Sequence, residues 1–135
     1  MKYLLDTDTC IYALKQDRTV LGRLLATPRA DVAISVITEA ELRTGAAKSR
    51  SAAKTLELVE NFLGPLPVVE FTSDDAVAYA RVRARLERAG TPIGSLDTLI
   101  AAQAVARELT LVSNNEREFG RVARLAIENW SSCAL

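Results

Sequence analysis

Short apolar runs alternate with helical stretches along almost the whole chain, and this alternation restricts the fold more than any other feature of the sequence. Short apolar runs bounded by turn residues are typical of buried strands, whereas apolar residues at helical spacing indicate helices between them. Strands that alternate with helices favour an α/β fold, a sandwich around a mostly parallel sheet. The predicted strands are 2–5, 31–35, 66–71, 110–113 and 126–128. Helices are predicted over 7–14, 52–63, 73–89, 96–108 and 116–119. Two further helices are predicted, one that ends at Pro28 and one that follows residue 35.

Polar residues and glycines mark the ends of several of these helices. Ser35 or Thr38 can cap the third helix, which we expect to fray near Gly45. Ser95 can cap the sixth helix, and Gly90 is a natural residue to follow the end of the fifth. No repeat, linker or low-complexity tract interrupts the pattern, so we expect a single domain over residues 1–135.

The chain contains no histidine, and this absence excludes several kinds of chemistry. Neither a Ser-His-Asp triad nor a Cys-His pair can form. RNA cleavage by histidine acid–base catalysis is excluded as well, and so are the usual histidine-containing zinc sites. An enzyme built from this chain must rely on carboxylates, hydroxyls, lysine, arginine or metal ions.

Charge, cysteine content and the N-terminal residues limit where such a chain acts. Its 17 basic and 17 acidic residues cancel, so we expect a local basic patch rather than a broadly basic surface to steer any nucleic acid. Cys10 and Cys133 form no CxxC pair and favour free thiols in a reducing cytosol, with a bridge between them left open. The apolar run near the N-terminus is too short for a signal peptide or membrane span, which predicts a cytoplasmic protein away from the membrane.

Three carboxylates lie where the predicted fold would bring functional groups together. Asp6 directly follows the first strand, and ligands of such folds bind beyond the carboxyl ends of the strands. Asp97 lies in the first turn of a helix, where the helix dipole favours its charge, and Glu41 lies on the helix after the second strand. Converging carboxylates stay ionised together only with a compensating cation, and oxygen ligands of this kind suit Mg²⁺ or Mn²⁺.

Each of these residues also has an ordinary structural interpretation. Asp6 alone can be a helix cap, Asp97 alone an acid at a helix N-terminus, and Glu41 alone a solvated helix residue. The residues by themselves leave these interpretations open beside the metal site.

Four segments, taken in order, resemble the motifs of PIN-domain proteins, in particular the VapC-type toxins of VapBC toxin–antitoxin systems. Asp6, Glu41 and Asp97 stand at the acidic positions of the first three motifs. Together the resemblance covers roughly residues 1–130, and four motifs in family order are a specific signal. The segments are 1–12 (MKYLLDTDTCIY), 33–45 (AISVITEAELRTG), 90–102 (GTPIGSLDTLIAA) and 111–119 (LVSNNEREF).

The resemblance implies a PIN-like three-layer α/β/α sandwich with four to five strands and the activity of a metal-dependent endoribonuclease. It implies hydrolysis of RNA, with tRNA as the favoured substrate, Mg²⁺ or Mn²⁺ as cofactor, and inhibition by a VapB-type antitoxin. It also implies a homodimer and a larger toxin–antitoxin assembly. Asp6 and Asp97 are the expected direct metal ligands, with Glu41 as a site acid that binds through water.

One departure from the family concerns the fourth acidic position. Many PIN domains have an acid shortly after the last main strand, where this chain has Ser113-Asn114-Asn115. Glu118 is the nearest acid, and we expect Glu118 or Asn115 to reach the site through water. Thr7, Ser113 and Arg117 complete the residues expected to support the site or contact the substrate.

Two groups of arginines are candidates for RNA contacts. Arg117 and its neighbours Arg121 and Arg124 lie closest to the expected site in sequence. Arg81, Arg85 and Arg88 share one helix face and, together with Arg83, could contact phosphates. A solvated face with ion pairs to Glu87 is the ordinary interpretation.

Two other functions remain open at this point. The opening Asp6-Thr7-Asp8-Thr9 also matches the DxDxT motif of haloacid-dehalogenase-type phosphatases, in which the first Asp is the nucleophile. That family also needs a downstream lysine, whereas the last lysine here is Lys54. A non-catalytic PIN-like module that binds RNA or protein is the other alternative.

Overall fold

The structure, a computed structural model, describes residues 1–131 and contains one five-stranded sheet in the order β3-β2-β1-β4-β5. All neighbouring strands run parallel, so the sheet is more regular than the mostly parallel one predicted. The strands are β1 (Tyr3–Leu5), β2 (Val32–Ser35), β3 (Val68–Val69), β4 (Thr110–Val112) and β5 (Ile127–Glu128).

The helices occupy the segments expected from their periodicity. They are α1 (Thr7–Leu14), α2 (Arg18–Ala26), α3 (Val36–Ala47), α4 (Ala52–Leu63), α5 (Ser73–Arg88), α6 (Ser95–Ala106) and α7 (Glu116–Phe119). No helix among the first 131 residues is both long and apolar enough to cross a membrane. The prediction of a single domain over 1–135 includes residues outside the described 1–131. Cys133 also lies outside the described residues. Cys10 is buried and is a free thiol among them.

Successive strand residues pack into two separate apolar clusters, one on each face of the sheet. In β1, Tyr3 and Leu5 belong to the first cluster and Leu4 belongs to the second, because successive strand side chains point to opposite faces. Helices α1 to α4 contribute buried residues to the first cluster, and α5 to α7 contribute to the second. The predicted three-layer α/β/α sandwich is therefore confirmed.

Two local predictions were wrong, and a third left a choice that the structure resolves. The third helix does not fray at Gly45 but continues to Ala47, so the low helix propensity of one glycine is outweighed by packing around it. Ser95 is the first residue of α6 rather than its cap, a position taken by Gly94 without a side-chain hydrogen bond. For α3, the choice between two caps is resolved in favour of Ser35, whose hydroxyl accepts from the amide of Ile37 at 3.0 Å.

Strand β3 covers only two residues of the six that were predicted. Pro67 has no N–H for a ladder bond. Beyond the strand, the carbonyl of Glu70 accepts from Gln103 Nε2 at 3.1 Å and from Arg107 at 3.0 Å. Side chains of α6 thus replace the backbone ladder on this side of the segment. They also fix α6, and with it Asp97, against the sheet.

Candidate active site

Asp6 lies at the carboxyl end of β1, the central strand, and is 3% exposed. Its backbone leaves the strand there, and its Oδ1 atom accepts from the amide of Thr9 at 2.8 Å, which caps α1. Burial raises the pKa of Asp6, while hydrogen bonds from the Ser113 side chain and from Thr9 oppose the rise. Asp6 therefore caps α1, as its ordinary interpretation expects, and also lies at the carboxyl end of the strand, where a site residue is expected.

The segment after β4 supports the same edge of the sheet. Ser113 is fully buried, lies beside Asp6 and accepts from the amide of Asn115 at 2.9 Å. The side-chain amide of Asn115 donates to Glu118 Oε2 at 2.9 Å, and its oxygen caps α7. Asn115 therefore orients the Glu118 carboxylate.

Glu41 is held by a contact from α1. The hydroxyl of Thr7 donates to Glu41 Oε1 at 2.6 Å and lies 3.2 Å from the hydroxyl of Thr38, which is buried. Residues 7 and 41 belong to α1 and α3, the helices that follow β1 and β2. Because these strands are adjacent and parallel, the first turns of both helices meet at one edge of the sheet. Glu41 is thus a positioned side chain rather than a freely solvated one.

Among the carboxylates of this region, Asp97 shows the clearest shift in pKa. It lies in the first turn of α6 and is half-buried. Burial and the neighbouring carboxylates of Asp6, Glu41, Asp8 and Glu118, in that order of effect, raise its pKa to about 6. The expected stabilisation of its charge by the helix dipole is therefore outweighed by desolvation and like-charge repulsion.

Asp8 is a residue of this cluster that the sequence analysis did not include among the site residues. Its charge raises the pKa of both Asp6 and Asp97. Its position two residues after Asp6, in the first turn of α1, was the available signal. Arg117, by contrast, is exposed on α7, and no ion pair to it occurs in the described part of the chain.

The donor set at this edge fits a hydrated divalent cation. None of these five carboxylates takes part in an ion pair within residues 1–131. No group of three Cys, Asp or Glu side chains in that range is already arranged to hold a metal ion by itself. Mg²⁺ usually binds through one or two carboxylates and keeps several waters, so clustered acids without a complete protein cage suit it.

The raised pKa of Asp97 predicts how the stability of the metal-free protein depends on pH. A carboxyl that binds its proton more tightly in the folded state than in the unfolded chain costs nothing below about pH 4. It lowers stability progressively between about pH 4 and 6. We therefore compare the free energy of unfolding of Asp97→Asn with that of the wild type. After allowance for solvent screening, we expect the advantage of the variant to be about 1–2 kcal/mol larger at pH 7.5 than at pH 4.5. Urea unfolding in EDTA measures this difference, and a pH-independent difference would contradict the assigned electrostatics.

Comparison with known proteins decides the family. The family model described as PIN domain matches residues 3–125. This chain belongs to the PIN-domain family. The match leaves the phosphatase interpretation of the Asp6-Thr7-Asp8-Thr9 motif without support.

The relatives within this PIN-domain family are VapC proteins. The chain is 38% identical to the tRNA(fMet)-specific endonuclease VapC of Salmonella typhimurium over 96% of its own length and 98% of that protein. It is 37% identical to the ribonuclease VapC2 of Rickettsia felis with the same coverage. The resemblance drawn from the four sequence motifs is therefore confirmed.

Solved structures agree with the fold. The crystal structure of DNA-bound VapBC from Salmonella typhimurium superposes with a TM-score of 0.92 at 38% identity and covers 96% of this chain and 98% of that one. VapBC2 from Rickettsia felis, bound to a DNA fragment from its promoter, gives a TM-score of 0.91 at 36% identity and covers 97% and 100%. The PIN domain of this chain thus matches toxins that were crystallised within toxin–antitoxin complexes.

Proposed function

We propose that this chain is a Mg²⁺-dependent endoribonuclease that hydrolyses phosphodiester bonds in tRNA and acts as the toxin of a type II toxin–antitoxin pair. One observation carries the proposal: Asp97 shares the carboxyl edge of the sheet with four other carboxylates that raise its pKa. Carboxylates gathered without a compensating ion pair favour the binding of a divalent cation. The nuclease names of the VapC relatives supply the reaction class.

Asp6 and Asp97 are the residues that would hold the metal directly, with Glu41 and Glu118 placed to bind through water. Mn²⁺ has similar ligand preferences and is expected to substitute for Mg²⁺. When bound, the metal would supply positive charge to the phosphate and lower the pKa of a bound water, in a chain that has no histidine to activate water.

The remaining residues of the site position these acids. Ser113 and the amide of Thr9 fix Asp6, Thr7 fixes Glu41, and Asn115 fixes Glu118. Such supporting hydrogen bonds around metal ligands affect metal affinity or activity about 10- to 100-fold. Arg117, exposed at the start of α7, is a candidate contact to the substrate.

The partner of the proposed toxin is a VapB-type antitoxin, in keeping with the VapBC assemblies that contain the structural neighbours. We propose a cytoplasmic homodimer that joins the antitoxin in a larger assembly. This arrangement would keep the nuclease inactive until the antitoxin is removed.

Incubation of the purified chain with a total tRNA pool and Mg²⁺ tests the proposed function. We expect discrete cleavage products, and an equimolar cognate antitoxin is expected to suppress them. Binding of tRNA without cleavage would instead support the non-catalytic PIN-like module and overturn the nuclease proposal.

A further inference from the structure

An open groove of about 540 Å³ lies on the side of the molecule formed by α5, the end of α6 and the segment between α7 and β5. Its apolar lining includes Val82, Leu86, Val105 and Val122. Leu86 and Val122 also belong to the second apolar cluster, so both sides of the groove are anchored in the core.

Four arginines line this groove. Arg81 and Arg85 are one turn apart on α5, whereas Arg121 and Arg124 come from the segment after α7. The residues lining the groove include a single acid, Asp74. Within residues 1–131 none of the four arginines forms an ion pair.

The ion pair expected between the arginines of α5 and Glu87 is made by Arg83. Arg83, on another side of α5, donates to Glu87 at 2.7 Å and to the hydroxyl of Tyr79 at 2.9 Å. The ion pair of the ordinary interpretation is therefore made by Arg83, whereas Arg81 and Arg85 are exposed and form no ion pair within residues 1–131. Four positive charges that line a groove with a single carboxylate favour the binding of an anion.

Arg121 links the groove to the segment that precedes α6. Its guanidinium donates to the carbonyl of Pro92 at 3.1 Å, in the segment that leads into α6 and Asp97. Arg121 also follows Glu118 by three residues. Asp97 itself lies in the first turn of α6, whereas the groove is lined by Val105 and Ala106 near the other end of that helix.

We propose that this groove binds the sugar–phosphate backbone of the RNA substrate at a distance from the cleavage centre, an inference that rests on the proposed function. The acidic cluster repels phosphates and the chain has no net charge, so a polyanion needs a separate positive surface to bind. Arginine is well suited to phosphate oxygens. The floor is aliphatic and offers no aromatic ring for base stacking, so these contacts are expected to be independent of base sequence.

The double variant Arg81→Gln/Arg85→Gln tests the groove, with Arg88→Gln as the matched control. All three arginines are exposed on α5, but Arg88 does not line the groove. We expect the double variant to raise KM for tRNA about tenfold with kcat within about twofold. We also expect it to reduce the slope of log affinity against log salt by about 1–2. Arg88→Gln should match the wild type in both measurements.

The outcomes separate the groove from the proposed function. If the wild type cleaves RNA and the double variant keeps the same KM and salt dependence, the groove proposal is wrong while the nuclease proposal stands. If the double variant binds RNA normally but loses the antitoxin, the groove binds an acidic protein segment, and the RNA proposal is again overturned. A wild type that binds tRNA in this salt-dependent way without cleaving it would contradict the nuclease proposal alone.

Discussion

Chelating divalent cations with EDTA is expected to lower tRNA cleavage by this chain about 10³-fold or more, and excess Mg²⁺ should restore it. A metal contributes several kcal/mol of transition-state stabilisation, and about 1.4 kcal/mol corresponds to a factor of ten in rate. The neighbouring charges that act on Asp97 are carboxylates, which repel a phosphodiester instead of stabilising it. Gel-based cleavage rates measured at increasing free Mg²⁺ provide the test.

The control for chelation is a measurement that the protein stays folded in EDTA. The sheet is held by two apolar clusters that need no metal, so circular dichroism should show the same helix content in EDTA. Mn²⁺ should also restore activity, because its oxygen-ligand preferences resemble those of Mg²⁺. Equal cleavage rates with and without EDTA would contradict the proposed metal dependence of cleavage.

Asp97→Asn is expected to lower kcat/KM for tRNA by about 10²–10³-fold, the magnitude typical of removing one preorganised electrostatic group. The substitution removes a charge with little change of shape. It is a cleaner probe than a change at Asp6, which also caps α1 through the amide of Thr9. Steady-state cleavage in saturating Mg²⁺ measures the loss.

A matched carboxamide substitution outside the site provides the comparison for Asp97→Asn. Glu57 is exposed on α4, and Glu57→Gln should cleave tRNA at the wild-type rate. In EDTA, Asp97→Asn should bind tRNA at least as tightly as the wild type, since the cluster has lost a negative charge. Undiminished cleavage by Asp97→Asn would remove this residue from the proposed site.

The arginine groove and the acidic cluster divide the proposed work between them. The cluster at the carboxyl edge of the sheet carries the chemistry, and the groove along α5 carries affinity for the backbone of RNA. Changes in the cluster should therefore alter kcat and metal dependence. Changes in the groove should alter KM and salt dependence.

The sequence by itself determined the secondary structure and the class of fold, because both follow from short-range patterns. Apolar runs and helical periodicity located all five strands and seven helices of the described region, with errors at Gly45, at Ser95 and along β3. These errors arose where tertiary contacts override local propensity. At β3, for example, side chains of α6 take the carbonyl of Glu70.

Only the tertiary structure decided which distant residues meet and what their surroundings do to them. The parallel order of β2, β1 and β4 brings the helices and loops that follow these strands to one edge of the sheet. There, desolvation and like charges raise the pKa of Asp97 against the helix dipole, an effect of three-dimensional proximity that no local pattern carries. The same holds for the arginines, because Arg81 and Arg121 line one groove only after α5 packs beside the segment that follows α7.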